Sequence, residues 1–300
     1  MSVLANLFFL SATPSLTASK EYMSRYDLNL RTLSVWSHLF VRLSADMATT
    51  RFLEQCRRRK GLVRIVLARV LRGFLGHADA NALAGHGLMF VLSEEQVGTL
   101  MQRAGVSGRL GGDLLDIGCG NGDVTLNFVS LVQGSILCCE DSMVLRSILS
   151  SRGFHVLSPQ QLENVSNKFS VVMCLNVLDR IDNAPGLLDR ILELMDDREG
   201  IAVFALVFPF QPWVQNRWRQ WVRPDVILDE KLFEIGNARP LNKQFFEEST
   251  DCFLNLLTSR GFIVRAFTRV PYLSETDHYL CCDWDYLHNV VVVCSKAQTS

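Results

Sequence analysis

The sequence lacks several features that define common classes of protein. Its nine cysteines include no Cys-x-x-Cys pair, so no metal site is expected. Basic residues do not exceed acidic ones, since Lys+Arg total 30 and Asp+Glu total 31, and we therefore expect no nucleic-acid partner. The apolar run at residues 3–10 is too short to cross a bilayer, so no stable membrane span is predicted. The basic run at residues 57–60 is interpreted as a solvated face.

The first residues allow two interpretations. Residues 1–19 combine a short apolar run with small residues, as a weak signal-like segment does, but a basic n-region is missing. Several of the cysteines lie inside apolar runs, which suits buried thiols in a reducing compartment. An intracellular, cytoplasmic location is therefore favoured over the endoplasmic reticulum or mitochondrion, and a secretory location stays open.

The chain divides into two parts with different patterns. Residues 20–75 carry apolar side chains at helical spacing, as at Leu33 and Trp36. We predict an N-terminal helical extension over residues 1–75 and one larger domain over residues 76–300.

From residue 113 onward, short apolar strands alternate with helices, which predicts a mostly parallel sheet covered on both faces. No clear helix separates the last two strands, so the last strand is expected to be antiparallel. The predicted fold is therefore α/β, a Rossmann-like sheet of seven strands. The predicted strands cover residues 113–117, 135–139, 154–157, 169–175, 201–207, 262–268 and 290–294. The predicted helices cover residues 93–104 (with a capping box of Ser93 and Gln96), 121–131, 142–151, 185–195 and 243–259.

The first predicted strand runs into a loop of alternating glycines, L-D-I-G-C-G-N-G at residues 115–122. Glycine lets the backbone turn sharply and approach a ligand closely. The spacing G-x-G-x-G, preceded by Asp116, differs from the G-x-G-x-x-G of dinucleotide-binding folds. This form resembles motif I of methyltransferases, and an acid beside the loop suits the cationic amino acid end of S-adenosylmethionine better than a pyrophosphate. Asp116, Gly118, Gly120 and Gly122 are therefore predicted to bind that cofactor.

Glu140 ends the second predicted strand, where a carboxylate can accept hydrogen bonds from ribose hydroxyls. Alone, an acid at a strand end is usually just solvated, and a glycine-rich turn is often structural. Their order along one strand–helix–strand unit favours cofactor binding. The combination predicts the seven-stranded sheet of a class I S-adenosylmethionine-dependent methyltransferase.

Four segments resemble one family, the methyltransferase-like protein 9 (DREV) family of protein-histidine methyltransferases. C-L-N-V-L-D-R at residues 174–180 is similar to that family's C-L-N-x-L-D-R. A-L-V-F-P-F-Q-P-W-V at 205–214 and R-A-F-T-R-V-P-Y-L at 265–273 resemble its A-L-V-L-P-F-x-P-Y-V and E-A-F-T-R-L-P-Y-L. G-H-G-L-M-F at 85–90 resembles its G-R-G-S-M-F. The resemblance covers roughly residues 70–295. Asn121 stands where the family has Asp, and Gln211 replaces a His.

The resemblance implies methylation of the pros nitrogen of histidine in proteins, within His-x-His motifs whose x is small. It implies a substrate protein or peptide as partner and S-adenosylmethionine as cofactor. Asn176 and Asp179 follow the fourth strand and are expected to be catalytic, with Asp179 on the substrate and Asn176 on the substrate or the cofactor. Tyr272 is expected to contact the cofactor or substrate, and Trp213 and Tyr286 the substrate.

Alternatives remain open for each of these roles. Asn176 and Asp179 are also common helix caps, and Tyr272 can be an amphipathic side chain at a loop edge. The two prolines that flank Phe210 can simply end the fifth strand. For the whole protein, the alternatives are a class I methyltransferase acting on another protein side chain or a small molecule, and a catalytically inactive scaffold with the same fold.

Overall fold

A computed structural model describes residues 24–59, 61–216, 218, 220–238, 244–276 and 283–297. The signal-like segment 1–19 lies outside these ranges. The ten strands are β1 Met89–Phe90, β2 Leu114–Ile117, β3 Ile136–Cys139, β4 His155–Leu157, β5 Val171–Leu175, β6 Ile201–Phe208, β7 Val214–Gln215, β8 Trp221–Val222, β9 Phe262–Glu275 and β10 Trp284–Lys296.

Eight of these strands form one sheet in the order β1-β9-β10-β6-β5-β2-β3-β4, and β7 pairs only with β8. β4, β3, β2, β5 and β6 run parallel to one another, and β10 is antiparallel to both β6 and β9. The predicted seven-stranded α/β sheet with an antiparallel last strand is therefore confirmed. The two-residue strand β1, which pairs antiparallel with β9, is an addition that the sequence patterns did not predict.

β9 and β10 are longer than predicted, and most of the loop expected between them is strand. Pro271 is one reason for the error, because proline usually marks the end of a strand. In the structure Pro271 pairs with His288 of β10. Its other side is the outer edge of the sheet, between the bridge from Phe40 to Phe267 and the pairing of β1 with Leu273. A missing N–H is tolerated at such an edge.

Nine α-helices accompany the sheet in the described part of the chain. They are α1 Met47–Arg59, α2 Leu62–Leu71, α3 His77–Leu83, α4 Glu94–Arg103, α5 Met143–Ser151, α6 Pro159–Leu162, α7 Ala184–Leu194, α8 Glu230–Asn237 and α9 Phe245–Ser259. The predicted capping box is confirmed, since the Ser93 side chain accepts from the Gln96 N–H and the Gln96 side chain accepts in return.

Two predicted helices differ from the structure. The segment after the glycine loop is a 3₁₀ helix, Thr125–Leu131, and not an α-helix over 121–131. Asn121 and Asp123 hold a local turn there through their side chains, which delays the first helical residue. Within the N-terminal region, the spacing around Leu33 and Trp36 corresponds to turns and a 3₁₀ helix, Ser37–Leu39, while α1 and α2 follow.

Apolar side chains cover both faces of the sheet. One face packs against α7 and α9 and contains Leu188, Phe204 and Phe253. The other face packs against α4 and the 3₁₀ helix Thr125–Leu131 and contains Leu100 and Phe128. The N-terminal region contributes to both, since Leu33 lies in the first cluster, and Tyr26, Val41 and Leu43 lie in the second.

The division into an extension over 1–75 and a domain over 76–300 stays a prediction. Within the described residues, no helix combines the length and apolarity needed to cross a membrane.

Candidate active site

The glycine loop follows β2 at the carboxyl end of the parallel strands. Gly118, Gly120 and Gly122 have φ values of 72°, 59° and 82°, the left-handed region that favours glycine. A Cβ atom at Gly118 would lie 2.4 Å from Cγ2 of Val177, so the loop packs directly on the segment that follows β5. The glycines therefore serve two purposes, the turn itself and the close approach of the two loops.

Glu140 lies immediately after β3 and faces this loop. The backbone N–H of Gly120 donates to its Oε2 at 3.0 Å, and the N–H of Ser142 donates to its Oε1 at 3.0 Å. Burial raises the pKa of the Glu140 carboxyl, while the backbone hydrogen bonds lower it. Ser142 also donates its hydroxyl to Asp79 of α3, which ties that helix to the same loop. Glu140 is thus held in a fixed orientation beside Gly120.

Asp116 lies within β2, two residues before the first glycine of the loop. It is 2% exposed, and its Oδ2 accepts a hydrogen bond from the hydroxyl of Thr125 at 2.6 Å. The pKa of Asp116 is raised to about 7, mainly by burial; the Thr125 hydrogen bond opposes this shift, and the nearby Glu140 charge adds to it. Asp116 therefore links β2 to the 3₁₀ helix Thr125–Leu131, and its raised pKa leaves part of the carboxyl protonated near neutral pH.

Asn176 and Asp179 belong to a tight turn after β5. Asn176 has a φ of 58°, the left-handed region, and its N–H donates to the carbonyl of Ala205 at 2.9 Å. The turn closes through the Arg180 N–H, which donates to the Val177 carbonyl at 2.8 Å. No helix begins in this segment, because α7 starts at Ala184 with its own cap. The structure thus argues against the helix-capping alternative for Asn176 and Asp179.

Two buried oxygens of this turn, Oδ1 of Asn176 and Oδ1 of Asp179, have no hydrogen-bond partner within the described chain. Asp179 is only 4% exposed, and its Oδ2 lies 3.2 Å from the guanidinium of Arg180. Burial raises the pKa of the Asp179 carboxyl, and the Arg180 charge lowers it. A buried oxygen without a partner is costly, and functional sites are where such oxygens are retained.

Two further predicted residues lie close to this turn. Trp213 donates its backbone N–H to the Asp179 carbonyl at 3.0 Å, so the segment after β6 lies against the turn. The pKa of the Tyr272 phenol, on β9, is raised to about 12, mainly by burial. The charge of Arg180 lowers this pKa and the charge of Asp179 raises it. The structure therefore brings Asn176, Asp179, Trp213 and Tyr272 together.

Met89 joins Tyr272 to the glycine loop. The Tyr272 hydroxyl donates to the Met89 sulfur at 2.6 Å, and the Met89 methyl lies 3.3 Å from the position of a Cβ at Gly120. β1 is the strand that positions Met89. The sequence signal that could have identified it is the G-H-G-L-M-F segment, which resembles the family but contains no group with obvious chemistry.

Tyr286 does not join the other predicted residues. Tyr272 pairs with Leu287 of β10, and neighbouring side chains on a strand point to opposite faces, so Tyr286 and Tyr272 lie on opposite faces of the sheet. There Tyr286 packs with Phe90, and the Arg25 guanidinium lies 3.5 Å from its ring centroid. Tyr286 thus lies in a packed aromatic cluster on the face opposite Tyr272, and its expected contact with the substrate stays a prediction.

Asn289 is a residue that the sequence patterns did not single out. It lies two residues beyond Leu287 on β10, on the same face as Tyr272, and pairs with Val207 near the carboxyl end of β6. It is fully buried, and both polar atoms of its side chain lack a hydrogen-bond partner among the described residues. A single asparagine within an apolar strand gives no motif, so only the structure shows its position.

The strand order, the antiparallel last strand and the glycine loop define the fold of a class I methyltransferase. The chain belongs to the DREV methyltransferase family, whose sequence profile matches residues 25–296. This confirms the resemblance found in the sequence.

Solved structures with a similar fold include other methyltransferases. The CurJ carbon methyltransferase is 15% identical, with a TM-score of 0.44 over 85% of this chain and 72% of that chain. The TehB-like SAM-dependent methyltransferase from Corynebacterium glutamicum is 13% identical, with a TM-score of 0.39 over 78% and 97%. The ribosomal protein L11 methylase from Lactobacillus delbrueckii is 13% identical, with a TM-score of 0.37 over 70% and 82%.

Proposed function

We propose that the protein is an S-adenosylmethionine-dependent methyltransferase that methylates the pros nitrogen of histidine within His-x-His motifs of proteins. The observation that carries the proposal is the Asp179 carboxylate. It is buried, one of its oxygens has no partner within the described chain, and its turn packs on the glycine loop through Val177. The proposal places the acceptor at Asp179 and the cofactor on the glycine loop.

The residues around the loop fit S-adenosylmethionine, which supplies an electrophilic methyl group when bound. The glycines at 118 and 120 adopt left-handed φ values, which let the loop turn sharply beside Glu140. Glu140 offers about four acceptor positions, of which the N–H groups of Gly120 and Ser142 use only part, so it can also accept from ribose hydroxyls. We assign Asp116, two residues before Gly118, to the cationic amino acid end of the cofactor. The unpartnered Oδ1 of Asn176 is a second acceptor for the same ammonium group.

Asp179 determines which ring nitrogen of a histidine is free to react. A neutral imidazole has one N–H and one nitrogen with a lone pair. If Oδ1 of Asp179 accepts the N–H of the tele nitrogen, the lone pair of the pros nitrogen is left free. The same carboxylate stabilises the positive ring that forms on methylation. Because burial raises its pKa, it is also suited to take up the ring proton afterwards.

The neighbouring side chains can limit the size of the acceptor. Trp213, whose backbone N–H donates to the Asp179 carbonyl, places a bulky residue next to the proposed acceptor position. Tyr272 and Met89 form a hydrogen-bonded pair next to Gly120. Bulky residues around Asp179 favour a small residue between the two histidines.

Peptides with Ala, Gly, Leu or Trp between two histidines test the proposal, with labelled S-adenosylmethionine as donor and mass spectrometry as readout. We expect fast transfer to the Ala and Gly peptides and slow transfer to the Leu and Trp peptides. Equal rates for all four peptides, or label on a residue other than histidine, would contradict the proposed acceptor. Calorimetry that detects no binding of S-adenosylmethionine to the folded protein would contradict the cofactor.

A further inference from the structure

The helix α2 exposes an apolar face to solvent. Five aliphatic side chains, defined here as the α2 apolar face, are 44% to 79% exposed: Leu62, Val63, Val66, Leu67 and Val70. They cover a contiguous arc of roughly 140° around the helix. On the opposite side, Ile65 and Ala68 are buried. Isolated exposed apolar residues are common, but five on one helix face mark an interaction surface.

The same region is strongly basic. Residues 51–72 contain eight arginine and lysine residues and a single acidic residue, Glu54, in a chain whose net charge is -1. Arg57 and Arg58, in the last turn of α1, have side chains that are 80% and 83% exposed. Arg57 lies 3.9 Å from Asp283, and Arg58 lies 3.8 Å from Glu54, which are wide and solvent-screened pairs. These two exposed arginines precede Leu62, the first residue of the α2 apolar face, by only five and four residues in the chain.

We propose that the α2 apolar face and the adjacent arginines bind the surface of a bilayer that contains anionic phospholipid. An amphipathic helix at a membrane surface inserts its apolar side chains at the level of the headgroups, and nearby arginines bind lipid phosphates. The α2 apolar face is a convex ridge of aliphatic side chains, which a deformable headgroup layer can surround. It contains no aromatic side chain, although aromatic residues are enriched in protein interfaces. Complementary charge between the basic segment and the lipid directs the binding.

Co-sedimentation with vesicles tests this proposal on the full chain. We expect binding to vesicles of phosphatidylcholine mixed with phosphatidylserine, and much weaker binding to phosphatidylcholine alone. The double variant Val63→Glu/Val66→Glu should lower the partition coefficient by about ten-fold or more, and so should Arg57→Glu/Arg58→Glu. Added salt should weaken binding of the wild type. Val35→Glu, which changes a 71% exposed side chain elsewhere, is the matched control and should bind like the wild type.

Because all the substituted side chains are exposed, the variants should melt like the wild type, and a thermal melt verifies this. The proposal is overturned if the mixed vesicles do not bind, if both vesicle types bind equally, or if Val63→Glu/Val66→Glu binds like the wild type. Light scattering that shows a dimer which the same variant dissociates, without vesicle binding, would identify a second copy of the chain as the occupant and would also overturn it.

Discussion

Replacement of Asp179 by asparagine should lower the rate of methyl transfer without lowering the stability of the fold. The substitution keeps the shape of the side chain and removes a charge that is only 4% exposed. Because burial raises the pKa of Asp179, the native state binds this proton more tightly than the unfolded chain does, and the charged form destabilises the fold as pH rises. Asp179→Asn should therefore leave the free energy of unfolding at pH 8 unchanged or raise it by about 1–3 kcal/mol.

The rate of methyl transfer should fall in Asp179→Asn, although the stability does not. A positioned carboxylate that accepts a proton in the transition state contributes about 10²- to 10⁴-fold in rate, and the amide cannot replace it. The loss of charge beside Arg180 costs little, because that side chain is 39% exposed. In the wild type, the rate should fall as pH drops below about 6.5, since a protonated imidazole has no lone pair, and protonation of Asp179 would add to the fall.

Three measurements on each variant check this reasoning: a thermal melt, calorimetry with S-adenosylmethionine, and initial rates on a His-Ala-His peptide. Asp182→Asn is the matched control, because Asp182 is an exposed carboxylate three residues further along the same loop. It should behave like the wild type in all three. The reasoning is refuted if Asp179→Asn keeps its rate within about three-fold of wild type, or if the variant loses stability and cofactor binding together, as a purely structural role requires.

Three further substitutions test the rest of the site. Glu140→Gln should weaken S-adenosylmethionine binding by about 1–3 kcal/mol in calorimetry, because a charged acceptor is lost, and an unchanged Kd would remove Glu140 from the cofactor site. Asp116→Asn should stabilise the protein at pH 8 by at most about 4 kcal/mol and very little at pH 4, since the pKa of about 7 lies above the usual value of 3.8; melts with the same difference at both pH values would contradict this. Asn289→Leu should raise the melting temperature, because an unpartnered buried amide costs about 1–3 kcal/mol; a lower melting temperature would show that the amide is satisfied.

The parallel part of the fold could be predicted because its signals are local. Each of the strands β2, β5 and β6 is a short apolar run that is buried on both faces, and such runs stand out in the sequence. The ends of β9 and β10 could not be predicted in this way. β9 continues through Pro271 because it pairs with β10 on one side and with β1 on the other. These pairings exist only in the assembled sheet.

The residues of the candidate site also fall into a group that the sequence predicts and a group that only the structure shows. Glu140, Asn176 and Asp179 directly follow strands β3 and β5, so topology alone predicts that they meet at one edge of the sheet. The side-chain direction of Tyr286 depends on the register of the β9–β10 pair, which the sequence does not define, and the register places it on the far face. Met89 and Asn289 carry no motif of their own, and only the packed structure brings them to the site.

The position of the methyl group in the product tests the proposed role of Asp179 most directly. A His-Ala-His peptide is methylated by the full-length protein with S-adenosylmethionine, and the modified histidine is compared with standards of pros- and tele-methylhistidine by chromatography and fragmentation. We predict pros-methylhistidine, because in the proposed function the buried, unpartnered Oδ1 of Asp179 accepts the N–H of the other ring nitrogen. Methylation at the tele nitrogen only, or on a residue other than histidine, would contradict it.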